Sequence, residues 1–93
     1  MKPKKVYVVV HEKTVCNNDC DVTISDAYVS RNDAKKKMAE LKSQIINDWN
    51  FRDTSTYKIG VDYDGIFDIH EIYGGDIEWV YINEIQIISN QNE

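Results

Sequence analysis

The chain has one proline, four glycines and two cysteines in 93 residues, and no lysine or arginine from Val61 to its end. Each scarcity closes off a class of protein. The glycines, Gly60, Gly65, Gly74 and Gly75, fall at turns or within a strand, so no Gly-rich phosphate loop is present. No apolar run approaches the ~18 residues of a membrane helix. The stretch Val6–Val10 is also too short for a signal-peptide core. A chain that starts near Met1 and stays in the cytoplasm is therefore expected. There both thiols should be reduced. Cys16 and Cys20 are spaced CxxxC rather than CxxC, and His11 and His70 stand alone. A zinc set would need a second closely spaced ligand pair. No cofactor or metal is expected, and a small zinc or redox protein using Cys16 and Cys20 stays as an alternative reading.

The length excludes a two-domain enzyme, a nucleotide-binding doubly wound sheet and a barrel. One domain over 1–93 is expected, with 1–4 and 89–93 frayed. The composition is 42% apolar, which is enough for a core and argues against disorder. Charge is segregated. Residues 1–60 hold eleven bases and eight acids, +3, whereas residues 61–93 hold eight acids and no Lys or Arg, −8. Such a balance disfavours direct contact with nucleic acid, and an acidic surface favours a basic protein partner.

Lys5–His11 reads as a strand, with Val6, Val8 and Val10 on one face and Tyr7, Val9 and His11 on the other. Glu12–Asp21 reads as a polar loop, and Asp21–Val29 as a second strand with a bulge or bend at Ser25–Ala27. The two are expected to form an antiparallel hairpin. Ser30 and Asp33 form a helix-start pattern, in which a hydroxyl accepts a free amide hydrogen and an acid sits at the positive helix end. Ala34, Met38, Leu41, Ile45 and Trp49 then recur at helical spacing, a stripe that predicts a core face. Stop signals lie in Asn47–Asp53. Thr54–Tyr63 alternates as a strand, with Tyr57, Ile59, Val61 and Tyr63 on one side and Lys58, Gly60 and Asp62 on the other. Asp64-Gly65 is a hairpin signal. Ile66–Tyr73 returns, Gly74–Asp76 turns again, and Ile77–Ile88 is a long last strand. Trp79 and Tyr81 lie on one of its faces and Val80 and Ile82 on the other, so its inward face is ambiguous.

The order β-β-α-β-β-β predicts an α+β fold, a single helix packed on a mostly antiparallel sheet of about five strands. One helix cannot cover five strands. Aromatics on the uncovered face would mark an interaction surface, with Trp79, Tyr81, Tyr73, Tyr63 and Phe67 the candidates and a homodimer the simplest use. Asp68 and His70 share a strand face and Glu71 points away; acid–base chemistry by these groups needs a cleft, and the domain is small for one. No nucleophile motif is visible, so the chain is not expected to be an enzyme. The acids Asp62, Asp64, Asp68, Glu78 and Glu84 are spaced along the last three strands. Projecting from one side, they would replace phosphates in a cationic channel of a nuclease or other nucleic-acid-binding protein.

KVYVVVHE (Lys5–Glu12), AYVSRNDAKKKMAEL (Ala27–Leu41) and EWVYINEIQI (Glu78–Ile87) together resemble small accessory proteins of phages and mobile elements. There a Val/Tyr-rich first strand leads to a helix opened by S-x-x-D/E-A. The likeness covers about half of the chain and marks fold rather than chemistry, so no functional residue is carried over. It implies an inhibitor of host defence of the anti-CRISPR or anti-restriction kind.

Overall fold

The computed structural model describes residues 4–15, 19–51 and 57–87. It contains strands β1 (Lys4–Val15) and β2 (Asp19–Ile24), helix α1 (Arg31–Asn50), and strands β3 (Tyr57–Tyr63), β4 (Ile66–Glu71) and β5 (Ile77–Ile87). The fold is α+β. All five strands join one antiparallel sheet in the order β2-β1-β5-β4-β3. The last strand therefore closes the sheet against the first. No helix is long and apolar enough to cross a membrane among the described residues.

The helix starts where the cap chemistry places it. Ser30 is the N-cap, and its side chain accepts from the Asn32 amide at 3.1 Å. Asp33 sits in the first turn. The predicted stripe buries Ala34, Met38, Ile45 and Trp49 against Val9, Phe67, Ile69 and Val80. Leu41 is only half-buried, because it borders a groove beside edge strand β2 rather than the middle of the sheet.

Four expectations need correction. The segment expected to loop over Glu12–Asp21 is mostly paired: β1 runs to Val15 opposite Asp19, so only residues 16–18, outside the described set, separate the strands. β2 ends at Ile24 rather than Val29. There the Ser25 hydroxyl accepts from the Val9 amide at 2.8 Å, and Tyr28 returns as an isolated bridge to Tyr7. Lys4 does not fray; it pairs with Ile87. The returning strand β4 stops at Glu71, before Ile72 and Tyr73, which lie exposed in the following bend. The start of the expected Thr54–Tyr63 strand and the frayed ends 1–3 and 89–93 lie outside the described residues.

A fifth correction concerns the sides of β3. Its register to β4 shifts between Ile59 and Val61, leaving Gly60 as the extra residue. Directly paired residues share a side of a sheet. Ile59 pairs with Ile69 and Asp62 with Phe67, on the helix side; Val61 pairs with Asp68 and Tyr63 with Ile66, on the other. The even alternation read from Tyr57 to Tyr63 therefore breaks at Gly60. Asp64-Gly65 makes the hairpin turn as expected, with Gly65 at φ +90°.

Truncating the stripe tests this packing. Ile45→Ala, at 3% exposure, should lower unfolding free energy by about 2–5 kcal/mol. Leu41→Ala should cost about 1–2 kcal/mol, because less of its side chain leaves water on folding. Urea unfolding of the two variants measures the difference.

Candidate functional site

The pairing registers sort every strand residue onto one of two sides. On the helix side one row crosses the sheet as Thr23, His11, Val80, Phe67 and Asp62, and the next as Asp21, Lys13, Glu78, Ile69 and Ile59. On the side away from α1, the open face, one row runs Ile24, Val10, Tyr81, Ile66 and Tyr63. It crosses all five strands without a polar side chain other than the tyrosine hydroxyls. The neighbouring row runs Val22, Glu12, Trp79, Asp68 and Val61. An antiparallel sheet with one solvated face normally alternates apolar inward and polar outward. Here most positions of these two outward rows are apolar too.

These registers resolve the last strand. Val80 and Ile82 face the helix, and Trp79 and Tyr81 face away. The structure thus brings these two aromatic candidates together, on adjacent rows of the central strand. With Glu12 and Ile66 they line a shallow depression of about 360 Å³. The Tyr81 hydroxyl donates to Glu12 Oε2 at 2.6 Å. That bond, followed by desolvation, holds the phenol above its ordinary pKa of 10.0.

The five acidic candidates do not form one surface. Glu78 is 5% exposed and faces the helix. It accepts from the Trp49 indole Nε1 at 2.7 Å and lies 2.6 Å from His11 Nε2. Burial works to raise its pKa, but the hydrogen bonds from His11 and Trp49 outweigh burial, and the net shift is downward from 4.5. Asp62 and Glu84 also lie on the helix side. Asp62 pairs with Lys42 at 2.6 Å, and Lys42 in turn stands 5.3 Å from the Phe67 ring centre. Glu84 meets Lys5 at 3.5 Å. Asp64, at the hairpin turn, holds Lys35 and Arg31 of the helix, whose hydrogen bonds keep its carboxyl below 3.8. Asp68 alone reaches the open face, and it is 5% exposed. The lysines of the positive half thus fold onto the acids of the negative half.

Asp68 and His70 share a side, as the strand period requires, with Oδ2 and Nδ1 2.9 Å apart. They lie against the Gly60 bulge. A Cβ at Gly60 would meet Asp68 Oδ1 at 2.6 Å and Oδ2 at 2.8 Å, so a side chain there displaces the carboxylate. His11 faces the helix side and His70 the open face, so the two cannot share a zinc ion. Cys20 is an exposed free thiol; Cys16 lies outside the described residues. Among the described residues, no three His, Cys, Asp or Glu side chains cluster as metal ligands. A second concavity, about 300 Å³, lies between α1 and β2, with Lys37 and Leu41 on one wall and Thr23 and Ser25 on the other.

No family model matches the chain, and no curated protein or solved structure matches it.

Sequence reasoning named Tyr63 beside Trp79 and Tyr81 but missed Val10, Ile24 and Ile66 as their companions. Of its other aromatic candidates, Phe67 is buried on the helix side and Tyr73 lies in the bend after β4. Alternation alone placed Tyr63 on the same side as Tyr57, and nothing local revealed the bulge that separates them. The clue within reach was Gly60, a glycine inside a strand pattern, which often marks a bulge.

Two variants test the polar anchors. A carboxylate whose folded pKa is depressed contributes stability above its unfolded pKa, and that contribution is lost as pH falls through the folded value. Glu78→Gln should therefore cost about 1–3 kcal/mol at neutral pH. Its stability should also fall less than that of the parent as pH drops below 4.5. Urea unfolding against pH reads both effects. Gly60→Ala should destabilise by about 1–3 kcal/mol through overpacking against Asp68, with the loss seen as a lower thermal midpoint.

Proposed function

We propose that this chain is a non-enzymatic protein-binding module that docks through the open face of its sheet. The observation that carries the reading is the apolar row Ile24, Val10, Tyr81, Ile66 and Tyr63, which crosses every strand on the side the helix leaves bare. Val10 is already buried, but Ile24 and Tyr63 are exposed and Tyr81 and Ile66 half-buried, and covering them stabilises a complex by roughly 25 cal/mol for each Å² of apolar surface removed from water. Trp79 and Tyr81 at the centre are the residue types that dominate binding energy when desolvated. The surrounding polar groups are already partnered: Glu12 holds the Tyr81 hydroxyl and Asp68 holds His70. A surface whose polar groups carry their own partners loses little when water leaves.

An acidic surface set against a basic nuclease channel has less support. Glu78 and Asp68 are buried, and Asp62, Asp64 and Glu84 each engage a lysine or arginine of the same chain. A competing basic partner would have to break those pairs.

Site-specific photo-crosslinking tests the proposal. A photoreactive amino acid in place of Trp79, in cells expressing the chain, should give covalent protein adducts. The same group in place of Asn47, on the exposed side of the helix, should give none. A position 79 that yields no adduct, in a variant that keeps its circular dichroism spectrum, overturns the proposal.

A further inference from the structure

We infer that the protein which covers the open face is a second copy of this chain, packed sheet against sheet. The inference rests on the open face being the docking surface, and it adds the identity of the occupant.

Size is the first ground. On the open face Val22, Ile24, Tyr63 and Trp79 are each between 36% and 74% exposed. These exposed apolar side chains run from edge strand β2 to edge strand β3, the breadth of face that a stable complex, burying roughly 800 Å² on each partner, draws on.

Charge is the second ground, and it disfavours a basic partner while admitting a second copy. Among the described residues the open face carries two lysines, Lys4 and Lys58, two carboxylates, Glu12 and Asp68, and one histidine, His70. Its formal charges cancel, with the histidine neutral, while the whole chain stands at −5. A basic partner would find no attraction on this face. A second copy would find no repulsion on it, although the rest of the chain is acidic.

The registers also fix how two copies can meet. A two-fold axis lying in the interface along β5 would set Glu12 over Asp68 of the second copy, carboxylate against carboxylate. An axis across the strands, midway between the two rows, instead sets the row centred on Trp79 over the row centred on Tyr81. Each Trp79 then packs on Tyr81 of the second copy, and each Glu12 and Asp68 faces an aliphatic side chain while keeping its own hydrogen bond. The product is a sandwich of two five-stranded sheets about 10 Å apart, with the helices outside. The contact is isologous and closes without leaving an open end.

Sedimentation equilibrium on the full chain, from micromolar to about 1 mM, tests the inference. The mass should rise from 10.8 kDa toward twice that value. Trp79→Lys and Ile24→Lys, both at exposed positions that leave the folded core intact, should each weaken association at least about 10-fold. Asn47→Lys adds the same charge on the outer helix surface and should leave association unchanged. Added sodium chloride should not weaken the dimer, because the face is neutral.

A wild-type chain that stays monomeric throughout overturns the inference. So does an association that Asn47→Lys weakens as much as Trp79→Lys, or one that salt abolishes. The crosslinking experiment keeps the two readings apart. Adducts from position 79 at twice the chain mass, mapping to β5, support both. Adducts only with other proteins overturn the second copy and leave the docking face standing. With no adduct from position 79, both readings fall.

Discussion

The seat of the helix on the sheet is a buried carboxylate. Trp49, in the last turn of the helix and 2% exposed, donates its indole hydrogen to Glu78 on the central strand. His11, from the strand beside it, lies at hydrogen-bond distance from the other oxygen. Removing either partner would leave a buried charge short of a hydrogen bond, which costs far more than an exposed pair contributes. This contact also commits the sheet. With Glu78 held on the helix side, a strand period of two sends Trp79 to the opposite side, and with it Tyr81. Through the paired registers, that choice sets the side of every residue in the other four strands.

The open face follows from this commitment together with the number of strands. The helix lies over β1 and β5, so its stripe is consumed by Val9, Val80, Phe67 and Ile69. No described helix packs on the reverse side of those strands, where Tyr81 and Ile66 are half-buried and Val10 is already covered by its neighbours. The salt bridges act on the other side. Lys35 and Arg31 reach the turn at Asp64, and Lys42 reaches Asp62, fastening the outer β-hairpin to the helix. Such exposed pairs add little stability individually. Their consequence here is for function, because they occupy acids that the net charge alone would offer to a partner.

Much of the fold was legible locally. The Ser30 cap, the apolar stripe from Ala34 to Trp49 and the Asp64-Gly65 turn each depend on residues within a few positions of one another, and each is where the pattern placed it. So is the sharing of one side by Asp68 and His70. What local pattern missed depends on partners far along the chain. β1 continues through Glu12–Val15 because β2 and β5 flank it and supply the hydrogen bonds that polar residues would otherwise take from water. The sides of Val61, Asp62 and Tyr63 changed because Gly60 slips the register by one residue, and a slip of one reverses every later side chain. The Gly60 bulge also makes room for Asp68, a contact between two strands that no spacing within either one records.

By itself the sequence determined the inventory: one helix with one apolar stripe, several strands with aromatics near the end, and acids gathered in the last third of the chain. These follow from short-range periodicity and composition, which act before the chain meets itself. Only the tertiary structure decided which way Trp79 and Tyr81 point, and whether the acids stand together. Both depend on strand register and on pairs between residues twenty or more positions apart. The segregation of charge along the chain, +3 followed by −8, is largely undone in space, because folding lays the lysine-bearing helix beside the acidic strands. The surface left bare is the apolar one.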